Sequence, residues 1–534
     1  MLLAVVVSRF VARVTRWPVP LVQIALGVAV FYSGLTSAPL DPHVFFLLFL
    51  PPLLFLDGWR IPKDDLRREA TTIVTLALGL VVFTVLGVGL LVHWRLPAMP
   101  LAVAFALAAV ISPTDPIAVS AIAGQTPIPI RMRRILQGEA LFNDASGLVC
   151  MRVAVAAALT GSFSAPAALG SFLWVASGGL VTGFVMTWLL TRARPSDAVL
   201  VGEDGGAQIL ATLLIPFAAY LLAETLGCSG ILAAVAAGIT MGYSPHAHWQ
   251  AVTRIRRTAV WDTLQLVANG SIFVLLGEQL PAIVASAGQT VLITGHQNPL
   301  WLIAYVIEIV GALALLRFVW VWASMKVSLL GHRLQVPTAA GTPWRVIAAM
   351  SVAGVRGAVT LAAVLTLPLS MGGGRPFPGR DLAIFLAAGV ILMSLLMATL
   401  ALPRLLRGMT LLEPSHRAEA DRARVAAAIV AIGAIKRGAP TMETGDSGVS
   451  AAAAERLVAI YRQRMAQYDG DKVDSAMLGE ANDIERKLRL IGLRAEREAV
   501  LRLCHEHQLG EITMRQLVRE IDLQEARYTS TSAS

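Results

Sequence analysis

The sequence predicts an all-α polytopic membrane protein of about 13 transmembrane helices, followed by a helical domain outside the membrane. The first observation is composition: the 534 residues are 56% hydrophobic and 15% charged, with a mean hydropathy of +0.67. A soluble domain has roughly 25% charged residues. The second is that the apolar residues form blocks of about 18 to 25, long enough to cross a bilayer as a helix. The third is a change after Pro403, beyond which the chain is charged and helix-forming.

The boundaries of the apolar blocks at Pro, Gly or charged residues define the predicted spans. We place these at about 1–14, 19–36, 43–59, 71–94, 101–124, 139–161, 168–191, 205–226, 228–244, 263–286, 301–325, 345–370 and 381–403. The first block reaches Arg9 after a handful of apolar residues, so it either crosses the membrane or lies in its interface. The membrane domain is expected over 1–412.

The tail, 413–534, is expected to be a cytoplasmic helical domain, and a regulatory role for it stays open. Flexible joints are predicted near 438–448 and 468–472. Apolar residues recur at helical spacing on one side of an Arg/Glu-rich segment of this tail, at Ile484, Leu488, Ile491, Ala495 and Ala499.

Loop charge predicts the orientation of the spans. Seventeen Lys and Arg residues follow odd-numbered spans and three follow even-numbered ones. Because positively charged loops stay in the cytoplasm, we expect the odd loops and the tail on the cytoplasmic side of the cell membrane. The same distribution explains the net charge of +9 without a nucleic-acid partner.

Two predicted spans are broken by proline or glycine residues, which disfavour a continuous helix. The fifth contains SPTDP (112–116) and the twelfth contains GVRG (354–357), so the break positions are Pro113, Pro116, Gly354 and Gly357. The two spans run in opposite directions, because they are separated by an odd number of crossings. Paired broken helices in inverted halves indicate a secondary transporter with its binding site at the membrane midplane.

Asp144, in the motif GEALFNDASG (138–147), is the leading candidate for an ion- and proton-binding residue. A carboxylate near the bilayer centre costs about 3 kcal/mol, so it is rarely there without a function. Asp115 and Thr114 lie where the fifth span unwinds, and Asn143 adds a neutral dipole. For Asp115 the alternative is a helix-capping role at a kink.

A second acid of this motif, Glu139, is expected to form a stabilising ion pair with Arg356, because an unpaired arginine in the twelfth span is poorly tolerated. Glu308 and Arg317 are expected to neutralise one another through neighbours. The other charged residues of the spans are expected to be structural rather than functional: Asp57, Arg152, Glu224 and Glu278.

Six motifs occur in an order that resembles the monovalent cation:proton antiporter-1 family, the NhaP/NHE-type sodium/proton exchangers, in its bacterial form. They are FLPPLLFLDGW (49–59), SPTDP, GEALFNDASG, SGILAAVAAGI (229–239), FVLLGEQLP (273–281) and GVRGAVTLA (354–362).

The resemblance implies an NhaA/NhaP-like fold: two inverted six-helix repeats, crossed broken helices, a mobile core domain and a dimerisation domain. It assigns the exchanging role to Asp144, supported by Asp115, Thr114 and Asn143, and Asn before the Asp marks the electroneutral branch. Ala140 stands where the family commonly has a serine ligand.

These expectations describe a secondary active transporter that exchanges Na⁺ for H⁺, one for one, and contributes to pH homeostasis. Its partners are the cation and proton, the lipid bilayer and a second copy of the chain, with no cofactor, no catalytic residue and no nucleic acid. The alternatives are a K⁺(Na⁺)/H⁺ antiporter of broader selectivity, a cation channel, and an intramembrane aspartyl protease using Asp115 and Asp144. The protease alternative lacks the GxGD arrangement that such enzymes use.

Overall fold

The structure, a computed structural model, describes residues 1–34, 42–61, 70–115, 119, 130–161, 165–192, 205–243, 251–286, 291–292, 298, 300–330, 343–371, 376–407, 415–438 and, with gaps, 452–525. The helices are α1 (Leu2–Thr15), α2 (Val19–Ser33), α3 (Pro42–Arg60), α4 (Ala70–Arg95), α5 (Leu101–Ile111), α6 (Ile130–Thr160), α7 (Ala165–Arg192), α8 (Gly205–Thr225), α9 (Gly230–Tyr243), α10 (Ala251–Ala285), α11 (Leu300–Leu330), α12 (Pro343–Val352), α13 (Ala358–Leu365), α14 (Arg380–Leu406) and α15 (Ser415–Gly438). A π-helical turn, Thr75–Leu80, interrupts α4.

The predicted all-helical membrane architecture is confirmed. In the described part of the chain, seven helices are long and apolar enough to cross a membrane: α4, α6, α7, α8, α10, α11 and α14. Shorter apolar helices are α2, α5 and α9. The total of about 13 spans stays a prediction.

Several helices run beyond the apolar blocks that predicted them. α10 begins at Ala251 rather than near 263, and α6 begins at Ile130 rather than near 139. Both extensions carry basic residues, such as Arg254 and Arg134. The reason is that hydropathy marks where lipid ends, whereas backbone hydrogen bonding lets a helix continue into water.

The two predicted helix interruptions are present: one follows α5, and the other separates α12 from α13. After Ile111 the backbone leaves the helix over 112–115, and Val119 is helical again. After Val352 it stays non-helical through Gly357. The amide of Asp115 donates a hydrogen bond to the carbonyl of Val355 at 2.7 Å, so the two unwound segments contact each other.

The helices of Met1–Thr410, one of the two compact units of the chain, pack as two groups. The first helix group contains α1–α3 and α7–α10, and the second contains α4–α6 and α11–α14. Glycines allow close packing within the first group. An ideal Cβ on Gly238 of α9 would lie 2.1 Å from the carbonyl oxygen of Phe55 in α3. Small residues at helix contacts are typical of membranes, where close packing replaces the hydrophobic driving force.

The other compact unit is Leu411–Ser534. It contains α15 and a small apolar cluster of Leu493, Val500 and Ile521. Two of the apolar residues that recur at helical spacing in this tail, Leu488 and Ile491, are about 60% exposed and lie outside this cluster. The buried face is set by the helical segment around Ile521, which helical spacing within one segment does not reveal. The predicted joints beyond α15 lie outside the described residues.

Candidate ion-binding site

A cavity of about 60 Å³ lies between the two helix groups. This volume accommodates a few water molecules or a partly hydrated cation. From the first group it is lined by Leu50, Leu53, Leu54 and Asp57 of α3 and by Asn269, Ile272 and Phe273 of α10. The second group contributes Pro113, Thr114, Asp115, Ala140, Asp144, Gly357, Val359 and Thr360. The broken segments and the acidic motif therefore meet at one cavity.

Asp144 of α6 also lines a second, smaller cavity of about 10 Å³. This smaller cavity extends along α6 to Leu148 and along α13 to Ala363. Pro113, Asp144, Val359 and Thr360 line both cavities. Asp144 is therefore half-buried and lies between two cavities that extend in opposite directions along α6.

Asp115 lies at the beginning of α13. An ideal Cβ placed on Gly357, the N-cap residue of α13, would lie 2.3 Å from the Asp115 Oδ2 atom. The free N–H groups and dipole of a helix N-terminus stabilise a nearby negative charge. Asp115 thus lines the cavity and stands at a helix start of the other broken span, so the capping alternative and the ion-site hypothesis describe the same position.

Arg356 is buried and donates hydrogen bonds to backbone carbonyls of both unwound regions. Its Nε donates to the carbonyl of Ile111 at 2.8 Å, and its Nη1 donates to the carbonyl of Gly354. Ile111 is the last residue of α5, where a positive charge complements the helix dipole. Ser394 of α14 accepts a hydrogen bond from the Arg356 amide at 3.2 Å. Arg356 therefore holds the crossing point of the broken helices together.

Glu139 pairs with Arg317 of α11, so the expected partner, Arg356, was wrong. The Arg317 Nη1 and Nη2 atoms donate to the two carboxylate oxygens of Glu139, each at 2.6 Å. The side chains are only 3% and 2% exposed. Arg317 Nε also donates to the carbonyl of Met350 in α12 at 2.9 Å. The reason for the difference is that free carbonyls of the broken helices satisfy Arg356, whereas Arg317 on an intact helix needs a carboxylate.

The expected neutralisation of Glu308 and Arg317 by one another was also wrong. Glu308 accepts a hydrogen bond from Arg95 Nε at 2.7 Å. This second pair is partly exposed, at 36% and 37% of the two side chains. The Glu308–Arg95 pair is thus more exposed than the Glu139–Arg317 pair, so breaking it is a matched control for breaking the buried pair.

Two predicted site residues form hydrogen bonds that lead to Glu139 rather than to Asp144: Thr114 directly and Asn143 through Thr114. The Thr114 hydroxyl donates to Glu139 Oε1 at 3.1 Å, and Asn143 Nδ2 donates to Thr114 Oγ1 at 3.0 Å. The Thr114 hydroxyl thereby keeps one lone pair available toward the cavity. Asn143 Oδ1 is buried and has no hydrogen-bond partner among the described residues. The Arg317–Glu139 pair thus positions Thr114, which lines the cavity.

The structure brings together most of the predicted site residues. Pro113 and Gly357 line the cavity, Gly354 packs against Arg317, and Pro116 lies outside the described residues. Sequence reasoning missed three cavity-lining polar residues: Asp57, Asn269 and Thr360. For Asp57 a signal was present, since it follows three leucines at positions that share one helix face.

Two interrupted helices that meet beside a buried carboxylate, at the boundary between two groups of membrane helices, are the architecture of a secondary transporter. The family model described as "Sodium/hydrogen exchanger, transmembrane" matches residues 1–408. The chain belongs to this family of multi-pass membrane transporters, which confirms the family expected from the motifs.

Similar proteins extend over nearly the whole chain. An Escherichia coli protein named "Uncharacterized Na(+)/H(+) exchanger YjcE" is 40% identical over 98% of this chain and 97% of its own length. A Bacillus subtilis "Sodium, potassium, lithium and rubidium/H(+) antiporter" is 36% identical over 98% of this chain and 76% of its own. Among solved structures, the antiporter MjNhaP1 of Methanocaldococcus jannaschii has the same fold, with a TM-score of 0.56 and 19% identity over 76% of this chain and 97% of its own.

Gly357→Ala is expected to reduce transport on the order of tenfold, because small displacements of reacting groups are costly. The added methyl would occupy the position of the Asp115 carboxylate, 2.3 Å away, and push it from the helix start. The rate of cation-driven proton movement in vesicles measures the effect. The control is Gly311→Ala, where an added Cβ meets nothing within 4 Å. Equal transport by Gly357→Ala and wild type would contradict the placement of Asp115.

Proposed function

We propose that the protein exchanges Na⁺ for H⁺ across the cell membrane, one for one, with Asp144 as the exchanging carboxylate. The observation that carries this proposal is the position of Asp144 between the two cavities. Among the described residues, no basic side chain forms an ion pair with Asp144, whereas Glu139 is bound by Arg317. A carboxylate that a cation and a proton can reach in turn is what exchange requires.

Electroneutrality follows from competition for a single charge. Asp144 is neutralised either by a proton or by a monovalent cation, so the loaded site carries the same charge in both directions. The empty, ionised carboxylate does not cross, because an uncompensated charge in a low-dielectric environment is costly. Net transport then depends on the two ion gradients and not on the membrane potential.

The oxygen atoms around the cavity support a small, hard cation. Asp144 would supply a carboxylate, Thr114 a hydroxyl or carbonyl oxygen, and Asp115 a second carboxylate from the crossing segments. Ala140 lines the cavity without a side-chain oxygen. Water, or the side chain of Asn269 or Thr360, would complete the coordination on that wall. The selectivity of this chain therefore depends on residues outside the motifs.

Alternating access would come from movement of the two helix groups against each other. Both groups line the larger cavity, so a shift of one group against the other would change the access of water to it. α3 ends at Arg60, on the side expected to be cytoplasmic from loop charge. Dimerisation, a contribution to pH homeostasis and a cytoplasmic tail belong to the same proposal.

A broader selectivity is the second candidate function. The Bacillus subtilis relative is named for sodium, potassium, lithium and rubidium. A cavity of about 60 Å³ also leaves room for a cation that keeps part of its hydration shell. The protease alternative is set aside, because the family is one of transporters.

The test is dequenching of a pH-sensitive dye in acidified everted vesicles after addition of Na⁺, K⁺, Li⁺ or Rb⁺. We expect Na⁺ to collapse the proton gradient, and the rate to be unchanged when a membrane potential is imposed. A response to K⁺ and Rb⁺ as large as that to Na⁺ would favour the broader selectivity. A cation current without proton movement would indicate a channel and overturn the proposal.

A further inference from the structure

The face of α3 that lines the larger cavity is apolar except at one position. Leu50, Leu53, Leu54 and Asp57 have the spacing i, i+3, i+4 and i+7, which places them on one side of the helix. Asp57 is therefore the polar residue of an otherwise leucine-lined wall. It faces the space that Asp115 and Asp144 line from other helices.

Asp57 lies at the end of α3 nearest the charged loop. α3 ends at Arg60, one helical turn later. The guanidinium of Arg60 is directed toward α10, where it donates to Asp262 and, at 2.8 Å, to Gln265. Asp57 thus stands between the helix end and the deeper part of the cavity, next to an arginine engaged with another helix.

The three carboxylates of the cavity belong to different helix groups. Asp57 is on the first group, whereas Asp115 and Asp144 are on the second. In the described part of the chain, no three His, Cys, Asp or Glu side chains converge as the ligands of a metal ion do. The three carboxylates therefore line one cavity without converging on a single point as the ligands of one metal ion would.

We propose that Asp57 is a capture carboxylate: it attracts the cation into the cavity from the face at which α3 ends, and it does not travel with the exchanging site. This proposal rests on the proposed function. A negative charge in a cleft with low-dielectric walls raises the local concentration of cations. Because Asp57 and Asp144 lie on opposite helix groups, Asp57 affects binding only while the cavity is open on this face.

The consequence is a defect that differs between the two faces of the membrane. Removing the charge should raise the KM for Na⁺ at the α3-end face on the order of tenfold, because the cleft would no longer concentrate cations there. The maximal rate and the KM at the opposite face should stay near wild type. The effect should shrink at high ionic strength, because salt screens the attraction.

The experiment compares Asp57→Asn with Asp57→Glu in everted and right-side-out vesicles, which expose opposite faces to added Na⁺. Asp57→Glu keeps the charge and should keep the wild-type KM. Asp381→Asn is the matched control, since it removes a carboxylate that is 71% exposed at the start of α14 and does not line the cavity.

An increase in KM of the same size at both faces, an unchanged KM at both faces, or a fall in maximal rate alone would overturn the capture role. A general folding defect in Asp57→Asn would give that last result. Failure of the proposed function is distinct, because wild-type vesicles would then show no cation-driven proton movement at all.

Discussion

Replacing Asp144 by Asn is expected to reduce cation-driven proton movement to the level of vesicles without the transporter. The amide resembles the carboxylic acid in size but can neither release a proton nor neutralise a bound cation. Asp144 lines both cavities at the crossing of the broken helices, so no other described carboxylate occupies an equivalent position. The measurement is dye dequenching after addition of Na⁺, normalised to the amount of protein in the membrane.

Two variants make this result specific. Asp381→Asn removes an exposed carboxylate that lines neither cavity, and this variant should exchange like wild type. Asp144→Glu keeps an exchangeable charge and should retain activity with an altered KM for Na⁺, because the longer side chain changes the geometry. Exchange at the wild-type rate by Asp144→Asn would show that the assignment is incorrect.

Glu139→Gln is expected to destabilise the folded protein by about 3 to 5 kcal/mol, the usual cost of leaving one member of a buried ion pair without its partner. Arg317 would remain buried with two donors that had been directed at the carboxylate. Thr114 would lose its charged acceptor, so the cavity wall would also be less well ordered. The effect is measured as the midpoint of thermal unfolding in detergent, which is monitored by size-exclusion chromatography of heated samples.

The matched control is Glu308→Gln, which breaks the partly exposed pair with Arg95. Its expected cost is below about 1 kcal/mol, because water replaces the lost contact. The double variant Glu139→Gln/Arg317→Gln should recover part of the stability, since it removes both buried charges together. If Glu139→Gln unfolds at the same temperature as Glu308→Gln, the buried pair does not have the structural role assigned to it.

The parts of the site that could be predicted from the sequence are those determined by local chemistry. Pro113 removes a backbone donor, and the glycines around Arg356 favour a non-helical segment. The residue types alone therefore predict the two helix interruptions. Asp144 was visible because a carboxylate stands out in an apolar block. Neither inference needs knowledge of which helices are neighbours.

The partner of Glu139 could not be predicted, because it depends on contacts between distant helices. Several arginines lie in apolar spans, among them Arg317 and Arg356, and the sequence does not distinguish which one meets the carboxylate. The structure decides it through backbone geometry. Unwinding exposes the carbonyls of Ile111 and Gly354 to Arg356. Arg317 reaches one carbonyl, that of Met350, and its two terminal nitrogens donate to the carboxylate.

Asp57 was expected to be structural because it lies near the end of an apolar block, where water can reach it. Position along a span gives depth, but it does not give the direction in which a side chain points. The spacing of Leu50, Leu53, Leu54 and Asp57 showed that they share a face, but not that this face borders the site. Only the packing of α3 against the broken segments gives that information.

In the proposed exchange a cation and a proton compete for Asp144, and proton release on cation binding measures this competition. Purified protein in weakly buffered detergent solution is titrated with NaCl while a pH indicator records protons released. Wild type should release a proton for each cation bound, and Asp144→Asn should release none. Cation binding without proton release in wild type, or the same release by Asp144→Asn, would contradict it.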